Sequence, residues 1–125
     1  MNTENERESS VEENFRWAYG AMAREVLRTH IAKGWAEGIN TEDHNWRGNQ
    51  IALMHSELSE GLEGLRENLK DDKLPHRSMI ECELADTIIR IMNFGSQCGF
   101  DVAGALVEKA EYNKGRAYKH GDKKF

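Results

Sequence analysis

A single proline, Pro75, interrupts 125 residues. Proline locks φ and removes a backbone donor, so its scarcity leaves the chain free to run in long helices. The apolar residues recur with helical spacing in four segments. The first carries Phe15, Tyr19, Met22, Val26, Leu27 and Ile31; the second Ile51, Met54, Leu58, Leu62, Leu65 and Leu69. The third carries Ile80, Leu84, Thr87, Ile88, Ile91 and Phe94, and the fourth Val102, Ala105, Leu106 and Ala110. Strand-type alternation is scarce. Four helices with short connections predict an all-α fold, a four-helix bundle.

The segment ends follow from capping and turn chemistry. Residues 1–8 read as a disordered tail, and Ser9 or Ser10 as the cap of the first helix, with Glu12 and Glu13 in its first turn. That helix ends between Gly34 and Gly38, and 38–43 connect it to a second helix from His44–Arg47 to about Leu69. A turn at Lys70–Pro75 precedes a third helix from His76 to Gln97, with Gly95 and Gly99 at its end. Asp101 caps the fourth helix, which reaches Ala110 or Tyr112. The expectation is one domain over 9–120 and a short tail over 121–125. Gly48, Gly61 and Gly64 lie inside the second helix, where each costs about 1 kcal/mol relative to alanine. Close helix–helix approach is the reason expected for them.

Composition narrows the function classes. Apolar residues make up 38% and charged residues 31%, which fits a water-exposed helical protein with a modest core. Met1–Ser10 has no apolar leader, and no run is long enough to span a bilayer, so a cytoplasmic protein is expected. Cys82 and Cys98 read as reduced thiols, too far apart along one helix to bridge. A net charge of −5 argues against duplex DNA as a partner, and no membrane partner is expected. The charge is uneven, however: Lys109, Lys114, Arg116, Lys119, Lys123 and Lys124 form a basic C-terminal arm.

The most telling chemistry lies in two acid pairs, Glu57-Leu58-Ser59-Glu60 and Glu83-Leu84-Ala85-Asp86, separated by 22 residues. Within each pair the i, i+3 spacing puts both carboxylates on one helix face, about 60° apart. The pairs share a phase: Glu57 lies roughly 100° from the centre of its apolar stripe, and Glu83 roughly 80° from its own. On antiparallel neighbours over a shared core, the acids therefore both face the gap between the helices or both face away. Four carboxylates around one small volume repel unless a cation sits among them, and oxygen-only ligation suits Mg²⁺, with Mn²⁺ as a substitute.

The order Glu-x-x-Glu, gap, Glu-x-x-Asp resembles the MazG-like all-α nucleoside triphosphate pyrophosphohydrolases. The stretches Ile51–Glu60 and Glu83–Arg90 are similar to that family's two metal-binding helices. Lys109-Ala-Glu-Tyr-Asn-Lys114, followed by Arg116, resembles its phosphate-contacting C-terminal stretch. The similarity covers about 15–120. One position departs: Ser56 stands where many members carry a further glutamate, which leaves the metal count open. The resemblance implies Mg²⁺-dependent hydrolysis of a (d)NTP to (d)NMP and pyrophosphate, usually by a dimer or tetramer. It assigns metal binding and catalysis to Glu57, Glu60, Glu83 and Asp86, and phosphate contacts to Lys109, Asn113, Lys114 and Arg116.

Several further residues bear on this reading. Trp35 and Trp46 flank the connector before the second helix, where packing in a core or interface is the commoner role of tryptophan and stacking on a base the alternative. Asn49 lies two turns before Glu57, on the same side, within reach of base or sugar. Arg90, four residues after Asp86, is placed to orient that carboxylate. Lys109 and Asn113 share a helical face, joined by Arg116 if the helix continues that far. Ile89, Met92, Gly61 and Gly64 offer apolar or small residues on more than one face, so a homo-oligomer is expected. The Glu-x-x-His pairs of di-iron bundles and the G-x-x-x-x-G-K-[ST] phosphate loop are both absent from the sequence. The alternatives are a non-catalytic helical interaction module and a nucleotide diphosphatase with a different leaving group.

Overall fold

The computed structural model of the chain describes residues 3–118, which form four α-helices and no strand. They are α1 (Glu4–Ala32), α2 (His44–Glu67), α3 (Met79–Cys98) and α4 (Val102–Lys114). Among the described residues no helix is long and apolar enough to cross a membrane. Residues 1–2 of the tail expected over 1–8, the tail expected over 121–125, and the cations Lys119, Lys123 and Lys124 lie outside the described residues.

Two helices start elsewhere than the sequence suggests, and in each case the cause is a capping box. The first helix begins at Glu4 rather than at Ser9, inside the stretch expected to be disordered. The Thr3 hydroxyl accepts from the Glu6 N–H at 3.2 Å, and the Glu6 carboxylate accepts from the Thr3 N–H at 2.8 Å. The third begins at Met79 rather than His76: Ser78 caps it, and Glu81 reaches back to the Ser78 N–H. Asp43 caps α2 through the Trp46 N–H, and Asp101 caps α4 through the Gly104 N–H. At the far ends, Asn68 (φ 52°) and Gly99 (φ 74°) adopt the left-handed conformation that closes α2 and α3.

The helices gather into two compact units. One combines the chain up to Met22 with the chain from Asp101 onward. Here the first half of α1 runs antiparallel to α4, with Arg16 4.0 Å from Asp101 at one end and Glu8 3.6 Å from Lys114 at the other.

The other unit, Ala23–Phe100, holds the second half of α1 with α2 and α3. Glycines let α2 and α3 approach closely. A Cβ on Gly61 would meet Ile80 Cδ1 at 2.8 Å, and one on Gly64 would meet Met79 Cβ at the same distance. Gly48 has nothing within 4 Å, so close approach explains the other two and not this one. Further along, Trp46 and Phe94 rings stand 5.9 Å apart, which places α2 and α3 antiparallel.

The apolar stripe of α2 does not form this contact. Ile51, Leu58, Leu62, Leu65 and Leu69, expected in the core, remain 38–59% exposed, as do Leu84 and Ile88 of α3. Conversely, Gly61, Gly64 and Met92, expected to offer an outer face, are buried. Helical period reveals that a face is apolar; the glycines decide which face meets the neighbour.

Candidate metal centre and cavity

Antiparallel packing brings the two acid pairs to the same level of the α2–α3 hairpin. One carboxylate oxygen from each of Glu57, Glu60 and Glu83 lies within 4.8 Å of the others. Asp86, the fourth acid of the sequence reading, is not in that trio; it lines the adjoining cavity beside Glu57. The cluster therefore holds three glutamates, with Asp86 as a flanking carboxylate.

Glu83 is the strained member. It is buried, and its Oε2 has no hydrogen-bond partner among the described residues. Burial first, then hydrogen bonding with Glu57, and then the neighbouring Glu60, Glu57 and Asp86 charges push its carboxyl up to about 8. Burial works in the same direction on Glu57, but hydrogen bonding with Glu83 and with Arg90 outweighs it and holds Glu57 below the usual range. Burial and mutual repulsion thus favour the protonated form of Glu83, which leaves the Glu57–Glu83 pair with one negative charge rather than two. Asp86 is also raised, by burial and by the Glu57 charge.

Arg90 supplies the counter-charge inside the protein. Its Nε donates to Glu57 Oε1 at 2.9 Å, not to Asp86 as its spacing suggested. It acts on Asp86 only at longer range, opposing the rise. The Arg90 charge, after burial, also lowers the pKa of His30.

The cavity beside the cluster measures about 670 Å³. Its lining is ordered along the helices. Trp35, Ile39 and Trp46 are aromatic and apolar; Asn49, Gln50 and Asn93 are amides; Glu57, Asp86 and Arg90 are charged. From Trp46 to Glu57 α2 rises about 16 Å, enough for an elongated ligand with one apolar and one polyanionic end. Asn93 is buried, and its Oδ1 lacks a partner among the described residues. Sequence reasoning had pointed to Trp35, Trp46 and Asn49 but missed His30, Gln50 and Asn93. Asn93 had a readable signal, since it lies seven residues, two turns, beyond Asp86 on the same face of an apolar helix.

The described basic residues of the C-terminal arm, Lys109, Lys114 and Arg116, belong to the other unit, and each of them finds a local partner. Lys114 pairs with Glu111 at 3.2 Å and with Glu8 at 3.6 Å. Lys109 Nζ stands 5.0 Å and Arg116 6.0 Å from the centre of the Tyr112 ring. Arg116 therefore does approach Lys109, but through Tyr112 and from beyond the helix, since α4 stops at Lys114 and Gly115 caps it. Asn113 accepts the Arg116 N–H at its carbonyl at 3.2 Å. Cys82 and Cys98 are both free thiols on α3.

Comparisons with protein-family models, with curated proteins and with solved structures return no match. The functional reading therefore rests on the chemistry of the cavity and its acids.

Proposed function

We propose that this protein is a divalent-cation-dependent nucleoside triphosphate pyrophosphohydrolase of the MazG-like, all-α bundle type, converting a (d)NTP to its monophosphate and pyrophosphate. The observation that carries the reading is Glu83. A buried carboxyl with an unpartnered oxygen, facing two more glutamates, has the electrostatics of a cation ligand. The donor set is oxygen only, which fits Mg²⁺ or Mn²⁺ and disfavours softer ions.

On this reading Glu57, Glu60 and Glu83 hold the ion, which supplies charge neutralisation for the phosphates and the leaving pyrophosphate. Asp86, outside the trio but on the same cavity wall, orients the attacking water and takes up its proton; its raised pKa favours that role. Arg90 releases Glu57 to the ion and turns its planar fork to a phosphate oxygen. Trp35 and Trp46 sandwich or edge the base, while Asn49 and Asn93 offer amide donors and acceptors to its polar rim.

The test is pyrophosphate release over a panel of ribo- and deoxyribonucleoside triphosphates with Mg²⁺, with and without excess chelator. Turnover that needs the ion and disappears in Glu60→Ala and Asp86→Ala, with helical circular dichroism retained, supports the proposal. Full activity in chelator, or none on any nucleotide, refutes it. A non-catalytic interaction module would tolerate Glu57→Gln together with Glu83→Gln.

A further inference from the structure

We infer that a second cavity, opening behind Asn93, is a subsite for a substituent carried on the exocyclic amino group of the base. The ligand class is an N-substituted adenine or cytosine nucleotide. The inference rests on the nucleotide reading of the main cavity and adds a site to it.

The second cavity measures about 290 Å³ and lies between the second half of α1 and α3. It shares His30, Trp35, Ile89 and Asn93 with the main cavity, so the two spaces meet at these side chains. Val26 and Ile89, both half-buried, give it apolar walls, and Trp35 adds a ring. Glu25, Thr29 and Lys33 are exposed and form its open edge. Two of these are already engaged within α1. Arg28 donates to the Glu25 carboxylate at 2.8 Å, and the Thr29 hydroxyl donates to the Glu25 carbonyl at 3.3 Å. An apolar cavity of about 150 Å³ holds a benzene ring, so a phenyl-sized group fits here.

Asn93 fixes where on the ligand that group is attached. It is 8% exposed, and its Oδ1 has no hydrogen-bond partner among the described residues. A buried amide oxygen left unpaired is costly, and a ligand N–H removes the cost. Asn93 stands ten residues along α3 from Glu83, a rise of about 15 Å. That is the reach of a nucleotide from a phosphorus beside the acids to the outer edge of its base. An amino group at that edge donates to Oδ1. When the amine is secondary, its one N–H goes to Asn93 and its substituent is directed past Asn93 into the second cavity. An ether oxygen at the same place has no N–H to give. Burial, and then the Arg90 charge, hold His30 below its usual pKa, so an apolar substituent meets a neutral ring on the shared wall.

The experiment is calorimetric titration of the full chain, without metal, with adenosine, N6-benzyladenosine and 6-benzyloxypurine riboside, in which an ether oxygen replaces the amino N–H. N6-benzyladenosine should bind at least about 10-fold tighter than adenosine, because a phenyl ring leaves water. The ether should bind at least about 5-fold more weakly than the amine, because Asn93 Oδ1 stays unpaired. Val26→Trp, which fills the second cavity from α1, should erase the benzyl preference and leave adenosine affinity unchanged. Should Val26→Trp fail to fold, Thr29→Trp, at an exposed position on the same cavity, is read in the same way. Equal binding of adenosine and N6-benzyladenosine to the wild type, or no binding of either at millimolar concentration, overturns the inference. So does an ether that binds as tightly as the amine, or a folded cavity-filling variant that keeps the preference. These ligands carry no phosphate and the titration needs no Mg²⁺. A benzyl preference without turnover of any triphosphate therefore supports the subsite while refuting the hydrolase.

Discussion

Replacing Glu83 with Gln should stabilise the cation-free protein above neutral pH and blunt its response to Mg²⁺. The carboxyl ionises near 4.5 in the unfolded chain and is pushed up to about 8 in the folded one. Between those values the folded state binds more protons, so stability falls as pH rises from about 4.5 to about 8 and levels off above. A shift of that size corresponds to at most about 5 kcal/mol. Water entering the open cavity and movement of Arg90 reduce it to about 1–3 kcal/mol. Gln keeps the size, donates to Glu57, and never ionises, so that slope disappears. The assay is urea unfolding of both proteins at about pH 5 and about pH 9, where Glu83 is respectively protonated and ionised in the folded state. The wild type should lose about 1–3 kcal/mol relative to Glu83→Gln between those conditions. Asp86 is raised too and contributes in the same direction, but it is common to both proteins and cancels in the comparison. Millimolar Mg²⁺ should restore wild-type stability at high pH and leave the variant nearly unmoved. Parallel pH profiles, or equal stabilisation of both by Mg²⁺, would refute the reasoning about this carboxyl.

Gly64→Ala sets a Cβ 2.8 Å from Met79 Cβ and should cost about 1–3 kcal/mol in a chemical melt. Ser78→Ala removes the cap of α3 and half of its reciprocal pair with Glu81, a loss of about 1 kcal/mol, measurable in the same melt. Magnesium binding near pH 7 should release about one proton from the Glu57–Glu83 pair, detected as a dependence of the binding enthalpy on buffer ionisation.

Most helix existence was readable from apolar period and scarcity of proline, and the Asp101 cap was readable as well. The starts of α1 and α3 were not, because Thr3 with Glu6 and Ser78 with Glu81 are reciprocal pairs whose force appears only once both bonds form. The acid pairs were visible because i, i+3 spacing commits both carboxylates to one face wherever the helix packs. What covers a face is a different matter. Leu58, Leu62 and Leu65 carry the strongest apolar signal on α2, yet Gly61 and Gly64 win the contact with α3. Two backbones that can touch gain more there than they would over bulky side chains. Arg90 shows the same limit on a smaller scale: its nearest acid in sequence is Asp86, but its guanidinium reaches across to Glu57, on another helix.

For the cation of the proposed function, the missing methyl groups at Gly61 and Gly64 would act as a ruler for ionic radius. They set the separation of the two helices that carry Glu57, Glu60 and Glu83, and a Cβ at Gly61 would lie 3.4 Å from Glu83 Cβ itself. Mg²⁺ takes oxygens at about 2.0–2.1 Å and Ca²⁺ at about 2.3–2.6 Å, a difference of a few tenths of an ångström. That is the scale on which an alanine at Gly61 would have to push the helices apart. On the proposed reading, ion selectivity would be adjustable from a residue that bears no ligand atom, and a Gly61→Ala protein should favour the larger cation.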